Sequence, residues 1–228
     1  MSNPIRALVF DAYGTLFNVH SVIATCETHF PGKGAALSQL WRGKQLEYSW
    51  LRSLMGRYVD FNQVTRDGLQ YACESLGLTY SDSVLLQLKN AYRTLALFDD
   101  TLPTLHALRR QQPDIKLAIL SNGAPEMLDA VVKHNKLDPM FDAVLSVDAV
   151  GVFKPDPRVY QLACDRLGLV REEIGFVSSN GWDAAGAKAF GFTTFWINRA
   201  AAPVEQLGIT PDRLLTSLSE LPEMLATQ

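Results

Sequence analysis

Ala7-Leu8-Val9-Phe10-Asp11-Ala12-Tyr13-Gly14-Thr15 begins as four consecutive apolar residues and ends in a carboxylate, a glycine and a hydroxyl. A run so short and so apolar reads as a strand buried on both faces and stopped by Asp11. Four further runs share the form. They are Leu117-Ala118-Ile119-Leu120 before Ser121-Asn122-Gly123, Ala143-Val144-Leu145-Ser146, Ile174-Gly175-Phe176-Val177 before Ser178-Ser179-Asn180, and Thr193-Thr194-Phe195-Trp196-Ile197. Amphipathic helical patterns lie between them. Pro125 opens one with Met127, Leu128, Val131, Val132 and Leu137 on its apolar face, and Pro157 opens another with Val159, Leu162, Ala163 and Leu167. Continuous apolar strands alternating with helices predict an α/β fold, a parallel sheet covered on both sides. Such sheets bind ligands beyond the carboxyl ends of their strands, so the polar residues that stop each run are the candidates for chemistry.

Residues 18–99 break the alternation. Their pattern is helical, including 40–58 and 83–97, and a structureless loop of that length is uncommon in a compact domain. The expectation is a core of residues 1–17 and 100–228, with a helical cap of residues 18–99 inserted after the first strand and seated above the strand ends. A cap there would exclude water and contribute substrate contacts.

Composition narrows the functions. The chain has 228 residues, 47% hydrophobic and 20% charged, enough for one large domain with a true core. Lys+Arg 21 against Asp+Glu 24 gives a net charge of -3, which offers no electrostatic basis for binding nucleic acid or an anionic membrane. The opening Met1-Ser2-Asn3-Pro4-Ile5-Arg6 lacks the pattern of a signal peptide, and no run approaches the ~20 apolar residues of a membrane span. Cys26, Cys73 and Cys164 form no CxxC pair. These features predict a soluble cytoplasmic protein with reduced thiols.

Each polar strand end has an ordinary structural use: Asp11 in a turn, Ser121 as a helix cap, Lys154 as a solvated surface lysine, Asp183 as a first-turn acid. Their common placement on one edge of the sheet points to a site. In chain order the edge carries Asp11-x-x-Gly14-Thr15, Ser121-Asn122, Lys154-Pro155 and Ser178-Ser179-Asn180-Gly181-Trp182-Asp183. This order resembles the haloacid dehalogenase superfamily across the whole chain. The resemblance implies a Rossmann-like core with strand order 5-4-1-2-3 and Asp11 as nucleophile.

Most members of that superfamily are Mg²⁺-dependent phosphatases, with a second Asp two residues after the nucleophile and further acids in the last motif. Here Tyr13 stands at the first of those positions, and Asp183 is the only acid of the last motif. Mg²⁺ binds through hard oxygen ligands, usually including carboxylates. An alkoxide leaving phosphate also benefits from a proton donor, whereas chloride or bromide leaves unaided. The Asp-Ala-Tyr-Gly-Thr and Ser-Ser-Asn-x-x-Asp motifs are similar to those of the type II L-2-haloacid dehalogenases. So is the cap segment Trp41-Arg42-Gly43-Lys44-Gln45-Leu46-Glu47-Tyr48-Ser49-Trp50-Leu51-Arg52.

This closer resemblance implies hydrolysis of (S)-2-haloacids to (R)-2-hydroxy acids and halide through an aspartyl ester on Asp11, with no cofactor and no metal. Lys154 would pair with Asp11, Thr15 would support it, and Ser178, Asn180 and Asp183 would position and activate water. Ser121 and Asn122 would hold the substrate carboxylate, with Lys154 and Asn180 also touching substrate. Arg42 would receive the halide, and Tyr160 is a functional tyrosine of the family. Tyr13, Gln45, Leu46, Phe61 and Trp182 would form the apolar pocket. The implied partners are the small haloacid, halide ion and a second copy of the chain in a homodimer. Two other readings stand beside this one: a Mg²⁺-dependent phosphatase or phosphonate hydrolase, and a non-catalytic relative that binds a small carboxylate or a protein.

Overall fold

The computed structural model describes residues 4–226. Six strands form one parallel sheet: β1 (Ala7–Phe10), β2 (Lys116–Ser121), β3 (Ala143–Ser146), β4 (Ile174–Ser178), β5 (Thr193–Ile197) and β6 (Arg213–Leu215). Their order is β3-β2-β1-β4-β5-β6. Read from the other edge this is the expected 5-4-1-2-3, with one strand added outside β5. β6 is the addition. Only Leu215 of its three residues is buried, so it has no continuous apolar run to announce it.

All four residues of β1 and all five of β4 are buried. β1 lies at the centre, with Ala7 paired to Lys116 of β2 on one side and to Ile174 of β4 on the other. The chain therefore leaves β1 for one flank and later returns to the other. The crevice at such a switch point is where this class of sheet binds ligands. Asp11, Ser121 and Ser178 stand side by side there.

Between β1 and β2 lie α1 (Ile23–His29), α2 (Gly34–Leu54), α3 (Phe61–Ser75), α4 (Asp82–Ala91) and α5 (Thr101–Gln111). Later helices α6 (Pro125–His134), α7 (Pro157–Leu167), α8 (Gly181–Phe190) and α9 (Leu221–Ala226) cover the sheet or follow its last strand. The prolines at the start of α6 and α7 occupy the first turn, where the missing N–H costs nothing. α2 ends at Leu54 rather than continuing to residue 58. Gly56 there adopts φ +64°, and Asp60 accepts from Gln63 N to cap α3, so the chain turns within the stretch expected to be helical. The helical region expected over 83–97 likewise ends early, at Ala91.

The two segments that join α1–α4 to the sheet pair with each other. Phe17 bridges Leu97 antiparallel, Asn18 N donates to Ala96 O at 2.8 Å, and Phe98 N donates to Leu16 O at 3.1 Å. α2 and α3 cross closely: a Cβ on Gly68 would lie 3.3 Å from Gln45 N, and Trp41 Nε1 donates to Thr65 O at 2.8 Å. No helix among the described residues is long and apolar enough to cross a membrane.

Candidate active site

The site is built around Asp11, whose backbone N–H extends the β1–β4 ladder to Val177 O at 2.9 Å. Its side chain, in a residue only 6% exposed, is held at both oxygens. Oδ1 accepts from Lys154 Nζ at 3.1 Å, while Oδ2 accepts from Thr15 Oγ1 at 2.9 Å and Asn180 Nδ2 at 2.8 Å. Gly14 turns the chain behind it at φ +95°, a conformation L side chains rarely adopt. This lets Asn180 Nδ2 also reach Tyr13 O at 3.2 Å.

Lys154 is 1% exposed and joins two carboxylates, donating to Asp183 Oδ2 at 2.9 Å as well as to Asp11. Asp183 accepts further from Ser178 Oγ at 3.1 Å on Oδ2 and from Tyr160 OH at 2.8 Å on Oδ1. Burial pulls the Lys154 pKa down, but the charges of Asp11 and Asp183 outweigh it and leave the pKa above its ordinary value. Burial raises the Asp183 carboxyl to about 6, against the pull of Lys154. Burial and the Asp183 charge hold the Tyr160 phenol well above its usual range, so it is a donor near neutral pH.

A small chamber lies in front of Asp11. Its walls are Tyr13, Arg42, Leu46, Phe61, Ser121, Asn122, Asn180 and Trp182. Gly123 N–H donates to Ser121 Oγ at 3.0 Å, and Asn122 Oδ1 accepts from Lys154 N at 3.0 Å. Tyr13 is 3% exposed, its hydroxyl has no hydrogen-bond partner among the described residues, and burial raises its pKa so that it keeps its proton. Its ring stacks on Phe61 with 6.2 Å between centroids. Arg42, from α2, donates to Tyr13 O at 3.3 Å and to Gln45 Oε1 at 3.5 Å. Both acceptors are uncharged.

Of the residues expected to act, nine therefore meet in the chamber, counting Asp11. Thr15, Lys154, Ser178, Tyr160 and Asp183 stand behind it, joined to Asp11 directly or through Lys154. Gln45 differs from its expected place in the pocket wall. It is fully buried, donates to Thr65 Oγ1 at 3.1 Å, accepts from Tyr92 OH at 3.1 Å, and reaches the chamber only through Arg42. α2 turns its Gln45 side towards α3, and the neighbouring Arg42 and Leu46 line the chamber.

Two contributors escaped sequence reasoning. Gly123 touches the ring of Tyr13 so closely that a Cβ there would lie 2.7 Å from Cε2. Arg199, just past β5, donates to Ser179 Oγ at 2.6 Å, Thr15 O at 3.3 Å and Asp100 Oδ1 at 2.7 Å, tying three loops behind the nucleophile. Its signal was present: Asn198-Arg199 is the polar stop of the fifth apolar run.

The donor set does not suit Mg²⁺. Lys154 bonds both motif carboxylates, and both Asp183 oxygens accept from protein donors. Among the described residues no three His, Cys, Asp or Glu side chains are grouped to hold a metal.

A sequence model of the haloacid dehalogenase-like hydrolases matches residues 5–191. The chain belongs to that family. Two relatives place it more narrowly within these hydrolases. The (S)-2-haloacid dehalogenase of Pseudomonas sp. (strain YL) is 52% identical over 98% of this chain and 95% of its own length. The (S)-2-haloacid dehalogenase H-109 of Pseudomonas putida is 47% identical over 97% and 98%. Among solved structures, the L-2-haloacid dehalogenase of Xanthobacter autotrophicus with chloropropionic acid covalently bound is 43% identical. It superposes with a TM-score of 0.91 over 97% of this chain and 98% of that one.

Proposed function

We propose that Asp11 is the nucleophile of a hydrolase that converts (S)-2-haloalkanoic acids to (R)-2-hydroxyalkanoic acids and halide. The observation that carries this reading is the chamber itself, a nucleophilic carboxylate facing a cation that no carboxylate among the described residues neutralises. The covalently bound chloropropionic acid in the Xanthobacter enzyme supports an ester intermediate of the same kind.

In this mechanism an Asp11 oxygen attacks C2 from the side opposite the halogen. The C–O bond forms as the carbon–halogen bond breaks, the centre inverts, and the electron pair departs with halide towards Arg42. Charge develops on the halogen only as the bond breaks, so Arg42 stabilises the transition state more than the ground state. Ser121 and Asn122 hold the substrate carboxylate, and the Tyr13 hydroxyl offers a further donor. Water then adds to the ester carbonyl carbon of Asp11 and gives a proton to Asp183. The tetrahedral intermediate collapses by breaking the bond between that carbon and the substrate oxygen. That oxygen takes the proton back from Asp183 and leaves as the hydroxyl of the product, while Asp11 regains its carboxylate and C2 is untouched. Lys154 keeps Asp11 and Asp183 together through both steps, and Ser178, Thr15, Asn180 and Tyr160 fix their orientation.

The chamber holds only about 10 Å³ of free volume, room for about one water. Arg42, Leu46 and Phe61 close it from α2 and α3, so residues 18–99 act as a cap that must lift to admit even a three-carbon acid. Leu51, Met55 and Tyr71 are exposed on the cap and supply an apolar surface for the expected homodimer, which sedimentation equilibrium would test.

The deciding experiment is halide release from each enantiomer of 2-chloropropionate in buffer containing EDTA. The expected result is release from the (S) form alone. Silence with both forms, with phosphate released from a phosphoester once Mg²⁺ is added, would overturn the assignment. A single turnover in ¹⁸O water should leave the label in Asp11 and none in the product.

A further inference from the structure

Two cavities flank the chamber, and they differ in chemistry. One, of about 450 Å³, borders Arg42, Leu46 and Asn180 and is lined beyond them by His20, Arg199 and Glu205 among others. The second, of about 430 Å³, has Trp182 in its wall, which also walls the chamber. Its other walls are largely apolar: Trp50, Leu54, Phe153, Pro155 and Leu207. The two charged residues that border it carry no free charge into it. Lys154 is paired with Asp11 and Asp183, and Asp156 is paired with Arg158 at 2.8 Å.

The partition between chamber and second cavity is light. Trp182 meets Trp50 edge to face, with 5.3 Å between centroids and 80° between planes. Trp182 belongs to the core helix α8 and Trp50 to α2, so the contact spans the two halves that close over the chamber. Trp50 Nε1 is buried without a hydrogen-bond partner among the described residues, so no bond from them holds that ring in place. On the outer rim, Leu54 is 84% and Leu207 61% exposed.

We propose that this second cavity is the subsite for the alkyl tail of longer 2-haloalkanoic acids, entered past Trp182. The assignment rests on the dehalogenase reading above. With the carboxylate at Ser121 and Asn122 and the halogen at Arg42, the substituent on C2 must leave along a remaining wall. Tyr13 and Phe61 are backed by buried aromatic packing. The cavity beyond Leu46 presents charged groups that an alkyl chain does not favour. Trp182 is the wall the chamber shares with this largely apolar space of about 430 Å³. Each methylene placed there favours binding about fourfold over water.

The test compares kcat/KM for (S)-2-bromooctanoate and (S)-2-bromopropionate in the wild type, in Trp182→Ala and in Leu207→Trp. Trp182→Ala should raise the long-to-short ratio at least tenfold by removing the partition. Leu207→Trp, which fills the cavity from its exposed rim, should lower the ratio at least threefold and leave turnover of the short acid unchanged. The double variant should lose most of the gain. A ratio that stays within twofold in every variant, or an equal fall for both acids in Leu207→Trp, overturns the assignment. Should Trp182→Ala not fold, the rim substitution decides by itself. A wild type that releases no bromide from 2-bromopropionate would instead overturn the dehalogenase reading.

Discussion

The site holds two cations, and the molecule treats them differently. Lys154 comes from the core edge of the sheet and is sealed between Asp11 and Asp183, with ion pairs of 3.1 and 2.9 Å. Arg42 comes from α2, is half-buried, and among the described residues bonds only the Tyr13 carbonyl at 3.3 Å and the Gln45 amide oxygen at 3.5 Å. The first cation is spent inside the protein, where it holds two buried carboxylates together. In the mechanism proposed above, the second keeps its charge for the departing halide. On that reading one site uses positive charge twice, once as structure and once as reactivity, and substitution should separate the two uses.

Replacing the sealed cation should have the largest effect. Lys154→Met leaves two buried carboxylates without their counter-ion, and breaking a buried pair in this way costs about 3–5 kcal/mol. We expect a large fall in Tm and no measurable halide release. Arg42→Met should leave Tm nearly unchanged, since its partners are neutral and weakly bound. Its kcat should fall about 10²–10³-fold, the usual cost of removing one group that stabilises developing negative charge. Melting curves and halide release on both variants would break the comparison if Arg42→Met proved the less stable protein, or Lys154→Met the more active.

The third test titrates the sealed side. With its carboxyl raised to about 6, Asp183 is protonated below that pH and cannot take the proton of the attacking water. The second half-reaction should slow as pH falls through about 6, approaching tenfold per pH unit. Halide departs before any proton is passed to Asp183, so the first half-reaction should not follow the same profile. Rapid quench at pH 5 should therefore show an initial burst of halide, with ester accumulating on Asp11, and the burst should fade at pH 7.5. A burst of the same size at both pH values would remove Asp183 from the hydrolytic step.

The two sides also differ in how far the sequence reveals them. On the core side, each buried strand is a continuous apolar run, so the first polar residue after it is easy to find. Asp11, Ser121 and Ser178 all stand in that position. β6 escaped because an edge strand with one buried residue has no such run, and Arg199 escaped because the end of β5 was not followed outward. Along α2 and its continuation, periodicity says little about position. Leu51, Leu54 and Met55 extend the apolar pattern although all three are exposed, which hid the turn at Gly56. Arg42 was legible only through resemblance, since a helix arginine looks the same whether it faces solvent or a chamber.

Gln45 shows the limit most clearly, and its substitution should have the smallest effect. It was expected in the pocket wall, but the close crossing of α2 over α3 turns it inward. There Nε2 meets Thr65 and Oε1 accepts from both Tyr92 and Arg42. A residue in that position acts on the reaction only by aiming the guanidinium. Gln45→Met fills a similar volume and removes both hydrogen-bonding groups, leaving Thr65 and Tyr92 hydroxyls unpartnered at a cost of about 1–3 kcal/mol in stability. We expect kcat to fall no more than about tenfold. Arg42 retains its bond to Tyr13 O, and its charge stays in the chamber. The double variant Gln45→Met, Arg42→Met should then be no slower than Arg42→Met alone, because nothing remains to be aimed. If the two losses multiplied instead, Gln45 would be touching the substrate in the closed complex.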